Sequence, residues 1–469
     1  MTATVATTHP TYDKLMPKWA RCSDAVDGQD AVREKREAYL PKLGGEEEAD
    51  YAARLKRSDF FNATWRTIAG LTGMAFRKPP VCEVPAAIEP MLADVNLAGK
   101  ALDTRARGLV EDMLEYGAFG LLVDYPPMPD NVTAISAQAS EAMGQRPLIQ
   151  HYEIESVYNW RYARVGNRWV LVQVRLKEEA DVSTDEFDHK TEDRWRVLDL
   201  DPQGFYRQRV YRKSDKSKTE YEQVGGDIYP VKNGKPLNSI PFKIVGELDE
   251  PPLIDLVDAN IAHYQVNADY RHGLHFTALP TLFLAGLQAK EGETFHIGSG
   301  TAVVASDPNA KGEYIEFTGQ GLDGIANALK SYEQRMAVLG ARMIADETRQ
   351  AETLGATQIK RAGENSILAQ IVIEVSGALE WALSVMADWV GAGGAVKYEI
   401  NRDFGITGLS AQDLTALVGA VQAGKVSDSE LFDLLQRHDV VEPTKTFEEH
   451  QAEIEMQGPA RPDVTGVAA

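Results

Sequence analysis

The run LDGIANALKSYEQRMAVLGARMIADETRQAETLGATQIKRAGENSILAQIVIEVSGALEWALSVMADWV, residues 322–390, carries two apolar seams with a polar stretch between them. Ile325, Leu329, Tyr332, Met336, Leu339 and Met343 follow one another at alternating spacings of four and three. That 3.5-residue period predicts a helix that packs lengthwise along a partner helix. Leu368, Ile371, Val375, Leu379, Ala382, Met386 and Trp389 repeat the pattern. DETRQAETLGAT, residues 346–357, is too polar to be core and reads as the loop between the two helices. The second helix, counted from this loop to Val390, would run about 34 residues, or roughly 50 Å. Long helices flanking a polar loop point to a machine part rather than an enzyme.

Outward from this run, residues 253–279 predict another long helix. A strand-and-glycine module, PTLFLAGLQAKEGETFHIGSGTAVVASDPNAKGEYIEFTG, follows it and leads into the Leu322 helix. On the far side, GAGGA reads as a hinge before the strand VKYEI. Two capped helices come next, opened by Ser410–Asp413 and by the capping box Ser427-Asp428-Ser429-Glu430. The tail beyond Gly458 is expected to be disordered.

The N-terminal third reads as helical, in DAVDGQDAVREKREAYL and in EEEADYAARLKRSDFFNATWRTIAGLTGMAF. In the latter, Phe61, Trp65 and Ile68 continue a stripe begun by Tyr51 and Leu55, and Pro79-Pro80 ends it. Leu102 to Tyr116 is a further helix with Asp103 as its expected N-cap, running into the apolar strand GLLVDYP. Residues 128–146 read as a polar surface excursion. From Ile149 to Val245 the period changes to two, with Val170, Val172, Val174 and Leu176 on one side of a strand. The turn at Val165–Arg168 predicts a hairpin, and WRVLDL, FYRQRVY and TEYEQV extend an antiparallel sheet whose loops fall at 178–193 and 212–219.

Composition narrows the class. At 469 residues the chain needs two or three structural regions. Cys22 and Cys82 lack metal-ligand spacing, and a reducing compartment is the simpler reading. No signal peptide is expected from MTATVATTHPTYDKL, and Glu374, Glu380 and Asp388 make 367–390 a packed soluble helix rather than a membrane span. The formal charge is −21, and residues 361–469 hold seven Lys/Arg against seventeen Asp/Glu. A protein that grips DNA by its phosphates needs the opposite sign. Either nucleic acid is not the partner, or it must not be gripped.

Chemical motifs are weak. Gly319-x-Gly321-x-x-Gly324 imitates a dinucleotide fingerprint but lacks the second parallel strand with its acid, so a tight strand-to-helix turn is the better reading. Asp269, His272 and His275 sit at i, i+3 and i+6 with His263 nearby; surface or interface histidines are favoured over a metal site. Asp124 at a strand end reads as a structural corner before Pro126-Pro127. The chain has no G-x-S-x-G, Walker loop or H-E-x-x-H, and no cofactor is expected.

The order of blocks resembles the portal proteins of tailed bacteriophages. The landmarks are GAFGLLVDYP at 117–126, IPFKIVGELDEPPLIDLVDANIAHYQVNADYRHGLHFTALP at 240–280, ETLGATQIKRAGENSILAQIVIEVSGALEWAL at 352–383 and LSAQDLTALVGAVQAGKVSDSELFDLLQR at 409–437. The resemblance implies an α+β portal fold: a wing of helices and antiparallel sheet at 1–252, stem helices at 253–279 and 322–345, and a clip at 280–321. A tunnel loop at 346–356, a tunnel helix with return to the wing at 357–399, and a crown with a C-terminal tail at 400–469 complete it. It implies a structural ring subunit, in twelve copies, at one capsid vertex of the virion, assembled in the host cytoplasm. Double-stranded DNA is packaged and ejected through such a ring. Its implied partners are the terminase large subunit, a head-completion adaptor, and the major capsid and scaffolding proteins, with no membrane. Thr348, Arg349 and Gln350 in the loop, and Lys330, Arg335 and Arg342 on the stem, become candidates for DNA contact, with salt bridges between subunits as the alternative for the charged ones. Rival readings are another virion structural protein and a soluble enzyme with no recognisable motif.

Overall fold

The computed structural model describes residues 3–126, 144–215, 217–232, 234–277, 281–285, 309–315, 321–343, 366–402, 404, 427, 429, 430, 432, 436 and 445–457. These fall in two compact units, 1–404 and 405–469. Helix and antiparallel sheet are mixed, as an α+β chain requires.

Four helices open the first unit: α1 (Pro10–Asp27), α2 (Gln29–Glu34), α3 (Glu48–Arg57) and α4 (Ala63–Ala75). Helix α1 lies largely outside the helical segments expected from sequence. His9 caps it, its Nδ1 accepting from Thr11 N at 3.1 Å, and Pro10 occupies the first turn where its missing N–H costs nothing. The expected single helix over residues 46–76 is broken at 58–62. There Asn62 starts α4 by accepting from Trp65 N at 2.9 Å. The break turns Phe61 and Trp65 outward, to 39% and 43% exposure, while Tyr51 and Ile68 stay buried. Helix α5 (Leu102–Glu115) is preceded by Ala101 as N-cap; Asp103 sits inside the first turn, where its charge faces the helix dipole instead.

Strand β1 (Val81–Glu83) precedes α5, and β2 (Ala118–Asp124) follows it, buried along its whole length. Strand β3 (Leu148–Glu153) pairs with one edge of β2. Five strands then form an antiparallel meander: β4 (Val157–Val165), β5 (Arg168–Asp181), β6 (Thr191–Leu200), β7 (Tyr206–Ser214) and β8 (Ser217–Ile228). The predicted hairpin closes at Val165 and Arg168, with Gly166 at φ +62°. Strands β5 to β8 run further than expected, taking in 178–181, 191–193, 212–214 and 217–219 of the runs assigned to loops, because their charged residues pair across strands, as Lys177 with Asp193 and Arg212 with Glu222. A short hairpin, β9 (Val231–Lys232) with β10 (Lys235–Pro236), leads to β11 (Phe242–Gly246), which takes the other edge of β2. Beneath the sheet, Tyr12, Leu15 and Trp19 of α1 pack with Trp160, Val174, Leu176 and Tyr206.

Helix α6 (Ile254–Thr277), the strand pair β12 (Thr281–Ala285) and β13 (Lys311–Ile315), and helix α7 (Leu322–Arg342) come next. Then α8 (Ile367–Trp389) passes through the largest core, against α4, α5, β2 and β11, and β14 (Lys397–Glu399) returns to pair with β1. By length and composition α8 could cross a membrane, yet all seven residues of its seam are buried in this core, with Ala369, Val372, Ala378, Leu383 and Ala387 beside them. The first seam is also consumed within the chain: Leu329, Met336 and Met343 are buried. Both seams therefore pack within the chain, the second along its whole length and the first at Leu329, Met336 and Met343.

In the second unit, α9 (Phe447–Gln457) was not expected. Thr446 and Glu449 cap it reciprocally, Thr446 N donating to Glu449 Oε2 at 2.9 Å. The capping box at Ser427 is present: Glu430 N donates to Ser427 Oγ at 3.2 Å and Ser427 N to Glu430 Oε2 at 2.9 Å. The helix at 410–413, the tail beyond 458 and most of the 128–146 excursion lie outside the described residues.

Candidate functional site

Helices α6 and α7 run antiparallel in one register. At one end Gly340 faces Leu256 of α6 and Thr67 of α4, so that a Cβ there would meet Thr67 Cγ2 at 3.2 Å. Along the pair, Ala259 packs with Met336, and His263 Nε2 lies 3.7 Å from Glu333 Oε1. At the other end a Cβ on Gly273 would lie 2.7 Å from Leu322 Cδ2. Gly273 looks from sequence like a weak point of its helix; its lack of a side chain leaves room there for the Leu322 side chain. Seventeen residues separate Leu256 from Gly273, so the matched length is about 25 Å.

The base of this pair is fixed by buried polar groups. Asn260 is fully buried and its Oδ1 accepts from Ala63 N, Thr64 N and Thr64 Oγ1 at 3.0–3.2 Å. Its Nδ2 donates to Phe61 O at 2.7 Å. One side chain of α6 thus satisfies the start of α4, whose first amides have no partner within their own helix. Val257, Ile261, Tyr264 and Ala268 seat α6 on Cys22, Leu40, Tyr51 and Phe60. His263 is buried, which lowers its pKa, while Glu333 pulls the other way.

Of the residues expected to meet DNA, Thr348, Arg349 and Gln350 lie outside the described residues. Lys330, Arg335 and Arg342 are exposed on α7, away from the seam, and none has a carboxylate partner among the described residues. Seven residues, two helical turns, separate Arg335 from Arg342, which puts them on one side. Lys330 is turned roughly 140° from Arg335 at 100° per residue. The three cations form no single stripe.

The other sequence motifs are structural. Among the described residues no group of three or more His, Cys, Asp or Glu side chains gathers as for a metal ion; Asp269 lies 4.0 Å from Arg54, and His275 is exposed. Strand β13 is antiparallel to β12, and among the described residues no strand lies parallel to it. Asp124 is a corner: its carboxylate accepts from Gln208 Nε2 at 2.7 Å and Tyr125 N at 2.9 Å and pairs with Arg196 at 3.2 Å. Burial raises its pKa against these partners. Arg196 also meets Glu178 at 2.9 Å, tying β2 to β5, β6 and β7. Both cysteines are free, and burial pushes the Cys22 thiol up to about 12. A cleft of about 440 Å³ lies between α8 and the β10–β11 segment, lined by Leu237, Ile240, Phe242, Trp381 and Trp389, with the Lys232–Asp388 ion pair at its rim.

Residues 252–390 match a family model described as "Domain of unknown function (DUF4055)". The match opens at Pro252, just before α6, and closes at Val390, the C-cap of α8, so it spans the helix pair, the β12–β13 module and the core helix. No curated protein matches the chain. Among solved structures the chain is similar to one from "Virion of native gene transfer agent (GTA) particle", at 12% identity and a TM-score of 0.40, covering 86% of this chain and 98% of that one. It is similar to one from "Neck of empty GTA particle computed with C6 symmetry", at 14% identity and 0.42, covering 84% and 94%. A third, from "Neck of native GTA particle computed with C12 symmetry", is at 13% and 0.38, covering 86% and 98%.

Proposed function

We propose that this chain is the subunit of a portal ring, a structural channel at one capsid vertex through which double-stranded DNA enters and leaves. The observation that carries the reading is the α6–α7 pair. Two helices held in one register over about 25 Å, bolted at the base and joined at the far end through a strand pair, make a stem with a clip. That is the order which the portal-like blocks at 240–280 and 352–383 imply. The segment 346–356 is then the tunnel loop, α8 the described part of the tunnel helix, and residues 1–252 the wing. Twelve copies, a terminase large subunit, a head-completion adaptor, and capsid and scaffolding proteins complete the assembly; no catalytic step is assigned to this chain.

The charge has a physical use in such a channel. DNA carries one negative charge per about 1.7 Å of axis, and a basic lining would bind it phosphate by phosphate. A chain of formal charge −21 gives a ring of copies a net repulsion for DNA that reaches about a Debye length, ~8 Å at physiological salt. The duplex stays centred and moves. Arg349, repeated around a ring, would supply brief contacts where the loop projects.

Light scattering and negative-stain imaging test the ring. Annular particles far above the 51.6 kDa of one chain are expected, and a monomer at every concentration and salt would overturn the proposal. Neutralising Arg349, or deleting residues 348–352, should leave rings intact and lower the yield of packaged genome; normal yield would reject the loop assignment.

A further inference from the structure

The β4–β5 hairpin ends in an exposed basic and aromatic tip. A bulge at Val172 of β5, between Gln173 opposite Arg161 and Leu171 opposite Tyr162, leaves β4 alternating and sets Arg161 and Tyr162 on opposite faces of the sheet. Arg164, Trp169 and Leu171 share the face of Tyr162, a continuation of the one that buries Trp160 and Val174, while Arg161 and Arg168 stand on the other face of the same tip. Trp169 is 72% exposed and Tyr162 48%. Arg161, Arg164 and Arg168 are exposed and have no carboxylate partner among the described residues; Arg164 donates only to Gly166 O and Asn167 Oδ1. In a chain of net charge −21, three unpaired guanidinium groups beside an exposed tryptophan stand apart from their surroundings.

The other end of β5 carries the complement. The turn from β5 to β6 presents Asp185, Glu186 and Asp188 around Phe187, which is 90% exposed. The turn is built, not loose: Phe187 N donates to Asp185 Oδ1 at 2.9 Å, Lys190 N to Ser183 Oγ at 2.9 Å, and Val182 N to Lys190 O at 2.8 Å. Thirteen residue steps of β5 hold the two tips about 44 Å apart, at opposite ends of one strand. They cannot meet within a single chain.

We propose that the basic tip of one copy docks on the acidic tip of the next, as a head-to-tail contact between wings. The occupant is a second copy of this chain because the complement in charge and in aromatic character lies on the chain itself, at a site only another copy can bring near. Two different patches at opposite ends of one element give a heterologous contact, which closes into a ring when the rotation per copy allows. The contact rests on the self-association in the proposed ring, and not on the passage of DNA.

Charge-swapped variants test it by sedimentation velocity at low salt. Arg161→Glu, Arg164→Glu and Arg168→Glu together should weaken self-association at least about tenfold, and so should Glu186→Lys with Asp188→Lys, which spares the turn made by Asp185. Mixing the two variants should restore assembly, since wild-type tips then meet wild-type tips and reversed tips meet reversed ones. That rescue also shows that both variants fold. Wild-type protein and variants that assemble equally would overturn the contact and leave the ring standing; a wild type that stays monomeric overturns both. Loss of binding to a short DNA duplex on reversing the arginines, with assembly unchanged, would give the basic tip to DNA and overturn the proposal.

Discussion

Asn260 shows how much one side chain can fix. Its amide serves the backbone amides of Ala63 and Thr64, the Thr64 hydroxyl and the Phe61 carbonyl, all across some two hundred residues of chain. Asn260→Leu would strand those groups away from water, and a loss of about 2–4 kcal/mol is expected from urea unfolding. Asn260→Asp should lose less, because it keeps the acceptor. Glu115 acts in the opposite sense. Burial pushes its pKa from 4.5 up to about 8, with Asp112, Asp27 and Glu155 adding to the rise and a hydrogen bond from Tyr116 opposing it. Between those two values the folded chain holds a proton that the unfolded chain releases, so stability falls as pH rises through the window. Glu155, raised to about 7, has the same sign. Glu115→Gln should flatten the thermal stability profile between pH 5 and 8 and stabilise the protein at pH 8 by roughly 1–3 kcal/mol.

At the scale of elements, α8 was legible because a buried helix must show its seam in sequence, and Leu368 through Trp389 do so. Leu379→Ala should leave a cavity worth about 2–5 kcal/mol, whereas Ile373→Ala, on the exposed side, should change thermal unfolding by no more than about 0.5 kcal/mol. Equal effects would mean that the seam is misplaced. What the seam could not reveal is its partner: a 3.5-residue period says that a helix packs, not whether its neighbour belongs to the same chain. Helix α1 escaped because Pro10 and Pro17 interrupt the helical pattern and because Tyr12, Leu15 and Trp19 answer to a sheet beginning more than a hundred residues later. The break at 58–62 had the same cause, since Asn260 lies far along the chain.

For the whole molecule, the order of blocks was readable where each is a long periodic element, and the candidate DNA-facing residues were not. Periodicity separates a buried face from an exposed one, but it does not say which exposed face lines a channel. The acidic balance gives a test at this scale. Purified rings should fail to retain duplex DNA at about 0.1 M salt, with little dependence on ionic strength, whereas a gripping protein loses affinity steeply as salt rises. Filter binding checks this.

The matched helix pair also has a mechanical consequence. Asn260 ties the base of α6 to the start of α4, Gly340 brings α7 against Thr67 of the same helix, and the far ends meet at Gly273 and Leu322, so a tilt of one helix carries the other with it. Over about 25 Å, each degree of tilt at the base displaces the tip by about 0.4 Å. A few degrees of rocking at α4 would become more than an ångström at the strand pair β12–β13, an amplification that needs no hinge along the way.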